Sequence, residues 1–401
     1  MKIGLISFHS FSQPGGVKRH VLGMYKEFKK RGMDVKIIIP RRRRDEDYGP
    51  DAILLGTSFP LNFSGSQADF CVNFNPLAIE SLLEKEKFDI LHLHNFGFPS
   101  AFQILERSKS LNVLTFHANI EGSKFFKTFP TLLFLFRKIV QWRIDGVIGV
   151  APLILKVFRK NNVPKIVIPN GIDVEEFNPR VPRLTEPPFN KKDKIRLLFV
   201  GRLEKRKGLI YLLRAYKILE KKFSNLSLVI VGDGELKEDC KRFVKKNNLR
   251  EVYFKGRVKA EKLPSYYASS DIFVSPAIFG ESFGLVLLEA MASGLSLAGF
   301  ANQGYKEFLG KKRGAEFLAK PGDWRELAQK LEILIKDPNL RKEMGEWGEK
   351  EAQNYSWSKI AGQILDFYRY CKERKQKREK TNGFSLEEAI RKLTDKVLKV
   401  F

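Results

Sequence analysis

Short apolar runs alternate along the chain with longer stretches in which apolar residues recur at helical spacing. Such runs predict parallel strands buried on both faces, and their alternation with helices predicts an α/β protein. The predicted strands are KIGLIS, DVKIIIP, DILHLH, NVLTF, GVIGV and KIVIP in the first half, and IRLLFVG, LSLVIVG, VYFKG, DIFVSP, LSLAGF and AEFL in the second. These two sets of six predict two Rossmann-like, doubly wound domains in tandem, facing each other across a cleft.

The stretch between the two sets has no hydrophobic period and is rich in proline, asparagine and charge, as linkers are. We predict a boundary near residues 170–190, a first domain over 1–175 and a second over 190–354. We also predict that a helix over about 355–372 packs back on the first domain and that 373–401 form a basic amphipathic tail. The last helix of the tail has a Ser385 cap with Glu388 as its capping-box partner. Packing on the domain and docking to a membrane or a partner are both open for this tail.

Two acids mark the loop and helix after the predicted strand DIFVSP. Ligands of open α/β sheets bind beyond the carboxyl ends of strands, so this loop is a candidate site. Glu281 lies in the turn that opens the helix, and Glu289 lies among apolar residues inside it, where an unpartnered carboxylate is costly. A ribose diol would satisfy Glu289, and Glu281 can reach a sugar hydroxyl or a developing positive charge. The backbone N–H groups that can face a phosphate here belong to Ser282, Phe283, Gly284 and Leu285.

Two further loops suit anions. Gly15 and Gly16 follow the first strand and precede a helix, where exposed N–H groups favour a bound anion. Arg202, Arg206 and Lys207 cluster after the first strand of the second half, and their cations suit a diphosphate. Each loop alone also fits an ordinary helix-opening or solvated turn. Neither carries GxGxxG or the Walker pattern, so the sequence predicts no nicotinamide cofactor and no P-loop.

The sequence predicts no metal site. His92 and His94 share one face of a strand, but no third ligand accompanies them, and the three cysteines match no metal motif. The acidic residues at 45–47 follow four arginines in a loop and are interpreted as solvated. His117 ends the run NVLTF, where a residue of the cleft is expected, although a lone histidine is more often structural.

The formal net charge of +26 over 401 residues implies an anionic partner, which can be phosphate groups, an anionic membrane or nucleic acid. A solvated, lysine-rich surface accounts for part of this charge. The chain carries no RRM, KH or zinc pattern, so a nucleic-acid-binding protein is the distant alternative. No run reaches the roughly 18 apolar residues of a membrane span, and the segment 125–142 is interrupted by charge and proline. With no disulfide framework and no signal peptide, we expect a cytoplasmic protein.

The segments VGRLEKRKG, VIVGDGELK, FKGRV and LPSYYASSDIFVSPAIFGESFGLVLLEAMASG resemble the retaining GT-B glycosyltransferases of family 4. The E-x7-E motif of that family matches Glu281 to Glu289, and the resemblance covers nearly the whole chain. It implies a nucleotide-sugar donor in the second domain, an acceptor in the first, transfer with retention, no cofactor and no obligatory metal.

The resemblance also implies roles for individual residues. Arg202 and Lys207 would neutralise the diphosphate leaving group, Glu289 would hold the ribose, and Glu281 the donor sugar. His117 in LTFHANIEG matches the histidine that these enzymes place beside the transferred sugar. The implied catalytic residues are His117, Glu281, Arg202 and Lys207, and the implied donor site adds Gly16, Arg206, Val258, Ser282, Phe283, Gly284, Leu285 and Glu289. Since no second carboxylate presents itself as a nucleophile, we expect front-side attack, with the leaving phosphate taking the acceptor proton.

Within the family the chain is most similar to phosphatidylinositol mannosyltransferases. The resemblance lies in the N-terminal segment MKIGLISFHSFSQPGGVKRHVLGMYKE, in FPLNFSG and in SLAGFANQGYKEFL. It implies GDP-mannose as donor and a lipid acceptor such as phosphatidylinositol, with the protein bound peripherally to the inner face of the cell membrane. The implied acceptor-binding residues are Gly15, Lys18, Asn62, Ser64 and His117.

The chain departs from those mannosyltransferases in its acceptor loop. Leu61 stands where they have a tyrosine, and Gln67 and Asp69 stand where they have basic residues. Lys18 or Arg19 can compensate for the missing charge. The alternative is a family 4 hexosyltransferase that uses UDP-glucose or UDP-galactose on diacylglycerol or on a polysaccharide.

Overall fold

The first half of the chain builds an eight-stranded sheet. Its strands are β1 (Lys2–Ser7), β2 (Asp34–Arg41), β3 (Ala52–Phe63), β4 (Ser66–Val72), β5 (Ile90–His94), β6 (Leu111–Phe116), β7 (Gly146–Gly149) and β8 (Lys165–Val167). Their order is β4-β3-β2-β1-β5-β6-β7-β8, and every pair is parallel except the antiparallel β3–β4. The computed structural model describes residues 1–12, 15–43, 45–63, 66–73, 75–97, 99–117, 128, 130–191 and 193–382.

The second half builds a six-stranded, fully parallel sheet. Its strands are β9 (Ile195–Val200), β10 (Leu226–Val231), β11 (Val252–Gly256), β12 (Ile272–Ser275), β13 (Ser296–Phe300) and β14 (Leu318–Ala319). The order β11-β10-β9-β12-β13-β14 is that of a Rossmann sheet, whose topological switch point lies between β9 and β12. The predicted fold class, two tandem doubly wound α/β domains, is confirmed.

The strand prediction was wrong in two places. The first sheet has an additional hairpin, β3–β4, in which Leu61 pairs with Ala68 and Asn62 with Gln67. Gly56 and Pro60 interrupt its first strand and hide its pattern, because proline and glycine are tolerated only at sheet edges and bends. The predicted strand AEFL is mostly a short 3-10 helix over Arg313–Phe317, which leaves two residues for β14.

Helices cover both faces of each sheet. In the first domain they are α1 (Gly16–Lys30), α2 (Pro76–Glu86), α3 (Ser100–Arg107), α4 (Pro130–Arg143) and α5 (Pro152–Leu155). In the second they are α6 (Leu209–Leu219), α7 (Lys237–Lys246), α8 (Leu263–Ala268), α9 (Leu285–Ala292), α10 (Gln303–Leu309), α11 (Trp324–Lys336) and α12 (Pro338–Ala352), followed by the long α13 (Trp357–Asn382). Because both faces of each strand are covered, adjacent residues of β5 enter different cores: Ile90 lies on the α1 side and Leu91 on the other.

Helix α13 returns to the first domain. Its Ile360, Ile364 and Phe367 are buried in the same apolar cluster as Met24 and Phe28 of α1. The hydroxyl of Tyr368 lies 2.5 Å from Nδ1 of His92 in β5. Residues 373–382, which the sequence assigned to the tail, belong to this same helix. The predicted final helix with its Ser385 cap lies outside the described residues.

None of the helices within the described ranges combines the length and the apolar character needed to cross a bilayer. Helix α4 lies mostly within the segment 125–142, whose apolar run is interrupted by charge and proline. It exposes Phe134, Leu135 and Trp142, and Lys138 lies over the rings of Phe134 and Trp142.

Candidate active site

Glu281 lies between two cations in the loop that follows β12. Its Oε1 accepts hydrogen bonds from Nζ of Lys207 at 2.6 Å and from Nη1 of Arg206 at 3.1 Å. The two loops are also joined through their backbones, since the Ile278 N–H donates to the Arg206 carbonyl at 2.8 Å. The loops after β9 and β12 therefore form one unit at the switch point of the second sheet.

This ion cluster sets the protonation of Glu281. Burial alone would raise its pKa, but the positive charges of Lys207, Arg206 and Arg202, with the hydrogen bond from Lys207, outweigh burial and lower it. Glu281 is therefore a carboxylate at neutral pH. An ionised acid held in place by two cations can orient a sugar or stabilise positive charge on its ring.

Arg202 is the most accessible cation of this group. Its guanidinium lies 3.4 Å from Oε1 of Glu204. The side chain of Arg202 is 41% exposed, whereas those of Arg206 and Lys207 are each 13% exposed. Arg206 also contacts Glu204. Because its side chain is more exposed than those of Arg206 and Lys207, which share Glu281, Arg202 is the cation of this group best able to turn toward a diphosphate.

The start of helix α9 follows directly on the loop that carries Glu281. Gly284 is its N-cap with a φ of 98°, and a Cβ there would lie 2.6 Å from Cε1 of Tyr305, so only glycine fits. Gly284 has no side chain to cap the first N–H groups of the helix, which leaves its positive end available to an anion. Ser282 and Phe283 precede it, and Phe283 is buried against Phe308.

Glu289 lies one turn inside this helix and is 1% exposed. Its Oε2 accepts a hydrogen bond from the Tyr267 hydroxyl at 2.8 Å, and its Oε1 is paired with Nη1 of Arg19. Burial raises the pKa of Tyr267, so its hydroxyl stays protonated and donates. Arg19 belongs to α1 of the first domain, so this acid is held partly from across the cleft.

The first domain meets the second at the start of α1. A Cβ on Gly16 would lie 3.3 Å from Cδ1 of Leu285, which places the opening turns of α1 and α9 against each other. Gly15 is the N-cap of α1, and Nζ of Lys18 donates to the carbonyl of Phe11 at 2.6 Å. The two glycines predicted to approach phosphates or acceptor therefore lie at a point of contact between the two domains.

His117 follows β6 and is half-buried in a cluster of histidines. Its Nε2 lies 3.4 Å from Nδ1 of His94, and its ring centre lies 4.7 Å from that of His20 in α1. Burial lowers the pKa of His94 and His117 well below the usual value, and that of His20 to about 4. These rings are therefore neutral at physiological pH.

The remaining predicted residues are more scattered. Val258 follows β11 and packs on the apolar cluster beneath α9. Asn62 pairs with Gln67 near the tip of the β3–β4 hairpin, and Ser64 lies outside the described residues.

Sequence reasoning missed three residues of this site. Arg19 was considered only for the acceptor, yet it contacts Glu289, and Tyr267 was not considered at all. His20 was also missed, although its position four residues after Gly16 places it one helical turn inside the cleft. Glu289 carried the only usable signal, because a buried acid requires donors.

Comparison with known proteins agrees with this geometry. Residues 14–176 match the family model of Glycosyltransferase Family 4, and residues 182–351 match that of glycosyl transferases group 1. A phosphatidyl-myo-inositol mannosyltransferase of Mycobacterium leprae is 30% identical and covers 92% of this chain and 96% of its own. A sulfoquinovosyl transferase of Arabidopsis thaliana is 24% identical, over 86% of this chain and 69% of its own. The sucrose-phosphate synthase of Thermosynechococcus elongatus is 20% identical and superposes with a TM-score of 0.72, covering 92% of this chain and 98% of its own.

Two Rossmann-like domains that meet at a cleft, with the paired acids and cations on one side, define a glycosyltransferase of the GT-B fold. The chain belongs to glycosyltransferase family 4 and is similar over most of its length to phosphatidyl-myo-inositol mannosyltransferases. This membership makes it an enzyme, and the nucleic-acid-binding alternative is set aside.

Proposed function

We propose that this glycosyltransferase moves mannose from GDP-mannose to a membrane lipid, in the first instance phosphatidylinositol, with retention at the anomeric carbon. The observation that carries the proposal is Glu281, ionised and held by Arg206 and Lys207 beside the uncapped start of α9. Similarity to mannosyltransferases over 96% of the length of one of them supports the sugar and the acceptor.

The charges suggest how the chain promotes the reaction. Breaking the bond between the anomeric carbon and the phosphate builds negative charge on the diphosphate and positive charge on the sugar ring. Arg202, Lys207 and the start of α9 stabilise the diphosphate, and the Glu281 carboxylate lies where it can stabilise the sugar. The acceptor oxygen forms the new bond on the same face, and its proton passes to the departing phosphate oxygen. His117, a neutral ring, would orient the transferred sugar by hydrogen bonding.

The surface of the first domain supports a lipid acceptor. Helix α4 presents Phe134, Leu135 and Trp142 to solvent beside Lys138, and the chain carries a net charge of +26. Exposed aromatic and aliphatic side chains next to cations suit the boundary of an anionic leaflet. The protein would bind there peripherally.

A second candidate is transfer of another hexose, from UDP-glucose or UDP-galactose to diacylglycerol or a polysaccharide. The substitutions in the acceptor loop favour it, since Leu61, Gln67 and Asp69 stand where the mannosyltransferases have a tyrosine and basic residues. A relative named as a sulfoquinovosyl transferase indicates that this level of similarity spans more than one sugar.

The test is transfer from labelled GDP-mannose, UDP-glucose and UDP-galactose to liposomes with and without phosphatidylinositol. A mannolipid that forms only with phosphatidylinositol, in the α configuration, is the expected result. Inverted configuration would overturn the front-side mechanism, and a product from a UDP-sugar alone would select the second candidate. An exposed-site variant, Glu316→Gln, serves as the control beside Glu281→Gln.

A further inference from the structure

Three histidines from three separate elements meet at the floor of the cleft in the first domain. His20 comes from α1, His94 from the end of β5 and His117 from the end of β6. One ring nitrogen of each lies within 4.8 Å of the others. The sequence had suggested His92 with His94 and lacked a third ligand, whereas the structure replaces His92 with His20 and His117.

Three ring nitrogens of this cluster lack hydrogen-bond partners of ordinary geometry within the described residues. Among the described residues, neither ring nitrogen of His20 and not Nε2 of His94 has a partner, although all are buried. A side-chain hydrogen bond with Asn170 opposes burial and raises the pKa of His20, but its geometry is poor, since neither the His20 nitrogens nor Asn170 Oδ1 has a partner at ordinary hydrogen-bond geometry in the described part of the chain. Unsatisfied buried polar atoms are rare in folded proteins, and their presence on two of three histidines whose ring nitrogens approach within 4.8 Å of one another indicates a missing ligand.

In the same core, the neighbouring His92 has a hydrogen-bond partner at both ring nitrogens. Its Nδ1 lies 2.5 Å from the Tyr368 hydroxyl and its Nε2 lies 2.6 Å from Oγ1 of Thr115. Its ring stacks on that of His94 at 4.5 Å between centres. Structural packing therefore explains His92 but leaves the nitrogens of His20 and His94 unexplained.

The spacing favours coordination over a hydrogen bond. His94 Nδ1 and His117 Nε2 are 3.4 Å apart, which is long for a hydrogen bond between nitrogens. Two imidazole nitrogens bound at about 2.0–2.1 Å to one tetrahedral ion lie roughly 3.3 Å apart. Imidazole is a preferred ligand of Zn²⁺ and similar ions, and three histidines leave one position open to solvent or to a substrate oxygen.

We propose that His20, His94 and His117 bind one transition-metal ion of the Zn²⁺ class. The ion would lie in the cleft at the position of His117, which is half-buried and so leaves the cluster accessible. It is distinct from any requirement of the transfer reaction: a ring whose Nε2 is held on an ion cannot turn that nitrogen toward a sugar, and the ion fills the space in front of it, so the bound ion would inhibit the enzyme. This consequence rests on the proposed function of His117.

The site is tested on the full chain without a histidine tag, by titration with Co²⁺ followed in the visible spectrum. We expect one equivalent to bind with the strong absorption of a tetrahedral site, and Zn²⁺ to displace it. X-ray absorption at the zinc edge should show about three imidazole nitrogens at about 2.0–2.1 Å. Absence of stoichiometric binding by the wild-type protein would overturn the proposal, whatever the variants do.

Variants then locate the ion. His20→Asn and His94→Asn should each weaken Co²⁺ binding by at least tenfold, while His9→Asn, outside the cluster, should retain it. Binding that survives both substitutions would place the ion elsewhere and overturn the proposal. Two variants are used because either buried substitution can impair folding, which the melting temperature without metal reveals.

An assay of sugar transfer distinguishes the metal site from the proposed role of His117. If Zn²⁺ binds and inhibits in proportion to occupancy, and EDTA restores activity, the metal site and the proposed role of His117 are both supported. If it binds through three imidazoles without affecting transfer, the metal site stands and the proposed role of His117 fails.

Discussion

The guanidinium of Arg19 in the first domain is paired with the buried carboxylate of Glu289 in the second. Glu289 is 1% exposed and its other oxygen is bound by Tyr267, whereas Arg19 is 41% exposed. The acid predicted to hold the ribose of the donor therefore has protein partners in this structure. If a ribose binds there, its hydroxyls replace Arg19 at Oε1.

Arg19→Ala is expected to tighten the binding of a nucleoside diphosphate. The variant removes the competitor for Glu289, and an ion pair with one exposed partner is worth about 0.5–1 kcal/mol, or roughly a two- to fivefold change in Kd. The same substitution should lower the melting temperature, because the buried carboxylate loses a donor. Isothermal titration with GDP and a thermal scan measure both effects.

Lys26→Ala, an exposed cation of the same helix, is the matched control and should change neither quantity. Weaker nucleotide binding by Arg19→Ala would show instead that Arg19 contacts the ligand.

Glu281→Gln should reduce transfer by about 100-fold or more, because a neutral amide cannot stabilise charge on the sugar ring. It also leaves Arg206 and Lys207 without their shared carboxylate, so binding of the free nucleoside diphosphate should be retained or strengthened. Rates of sugar transfer and the Kd for the nucleotide are measured separately. Loss of sugar transfer and of nucleotide binding together would show that Glu281 maintains the structure of the loop.

Arg202→Ala should impair transfer without destabilising the protein. Among the described residues its ion-pair partner is Glu204 at 3.4 Å, and its side chain is 41% exposed, so its loss should change the free energy of unfolding by less than about 0.5 kcal/mol. If it stabilises the leaving diphosphate, kcat/KM for the donor should fall at least tenfold. Arg242→Ala, an exposed arginine on α7, is the control. Unchanged kcat/KM would remove Arg202 from the donor site.

Replacing Phe134, Leu135 and Trp142 of α4 by serine should weaken binding to anionic vesicles by at least tenfold. These side chains are exposed, so the triple variant should fold as the parent does. Vesicle co-sedimentation at low and high salt measures the effect. Ile333→Ser, an equally exposed apolar position in the second domain, should bind as the parent does. An equal loss of vesicle binding in the triple variant and in Ile333→Ser would argue against α4 as the docking face.

Structure could be predicted from the sequence where it depends on a pattern of neighbouring residues. Buried strands could be recognised as continuous apolar runs. The loops after β9 and β12 could be identified from Lys207 and Glu281, although the contact between these two residues was not predicted. The β3–β4 hairpin was missed because Gly56 and Pro60 break its pattern. The pairing of Arg19 with Glu289 joins residues 270 positions apart, so it depends on how the two domains meet, which no local pattern encodes.

The histidine cluster predicts a pH-dependent stability. Burial lowers the pKa of His20 to about 4 and those of His92, His94 and His117 well below the usual 6.5. The unfolded chain then binds more protons than the folded one at any pH between about 6.5 and the lowered values, so stability is complete above pH 6.5 and falls as the pH drops. Each such histidine contributes a slope of about 1.4 kcal/mol per pH unit in this window. The melting temperature should therefore decrease steadily from pH 7 to pH 5, and His20→Asn should have a shallower slope. A melting temperature that is flat over this range would show that these rings are protonated in the folded protein.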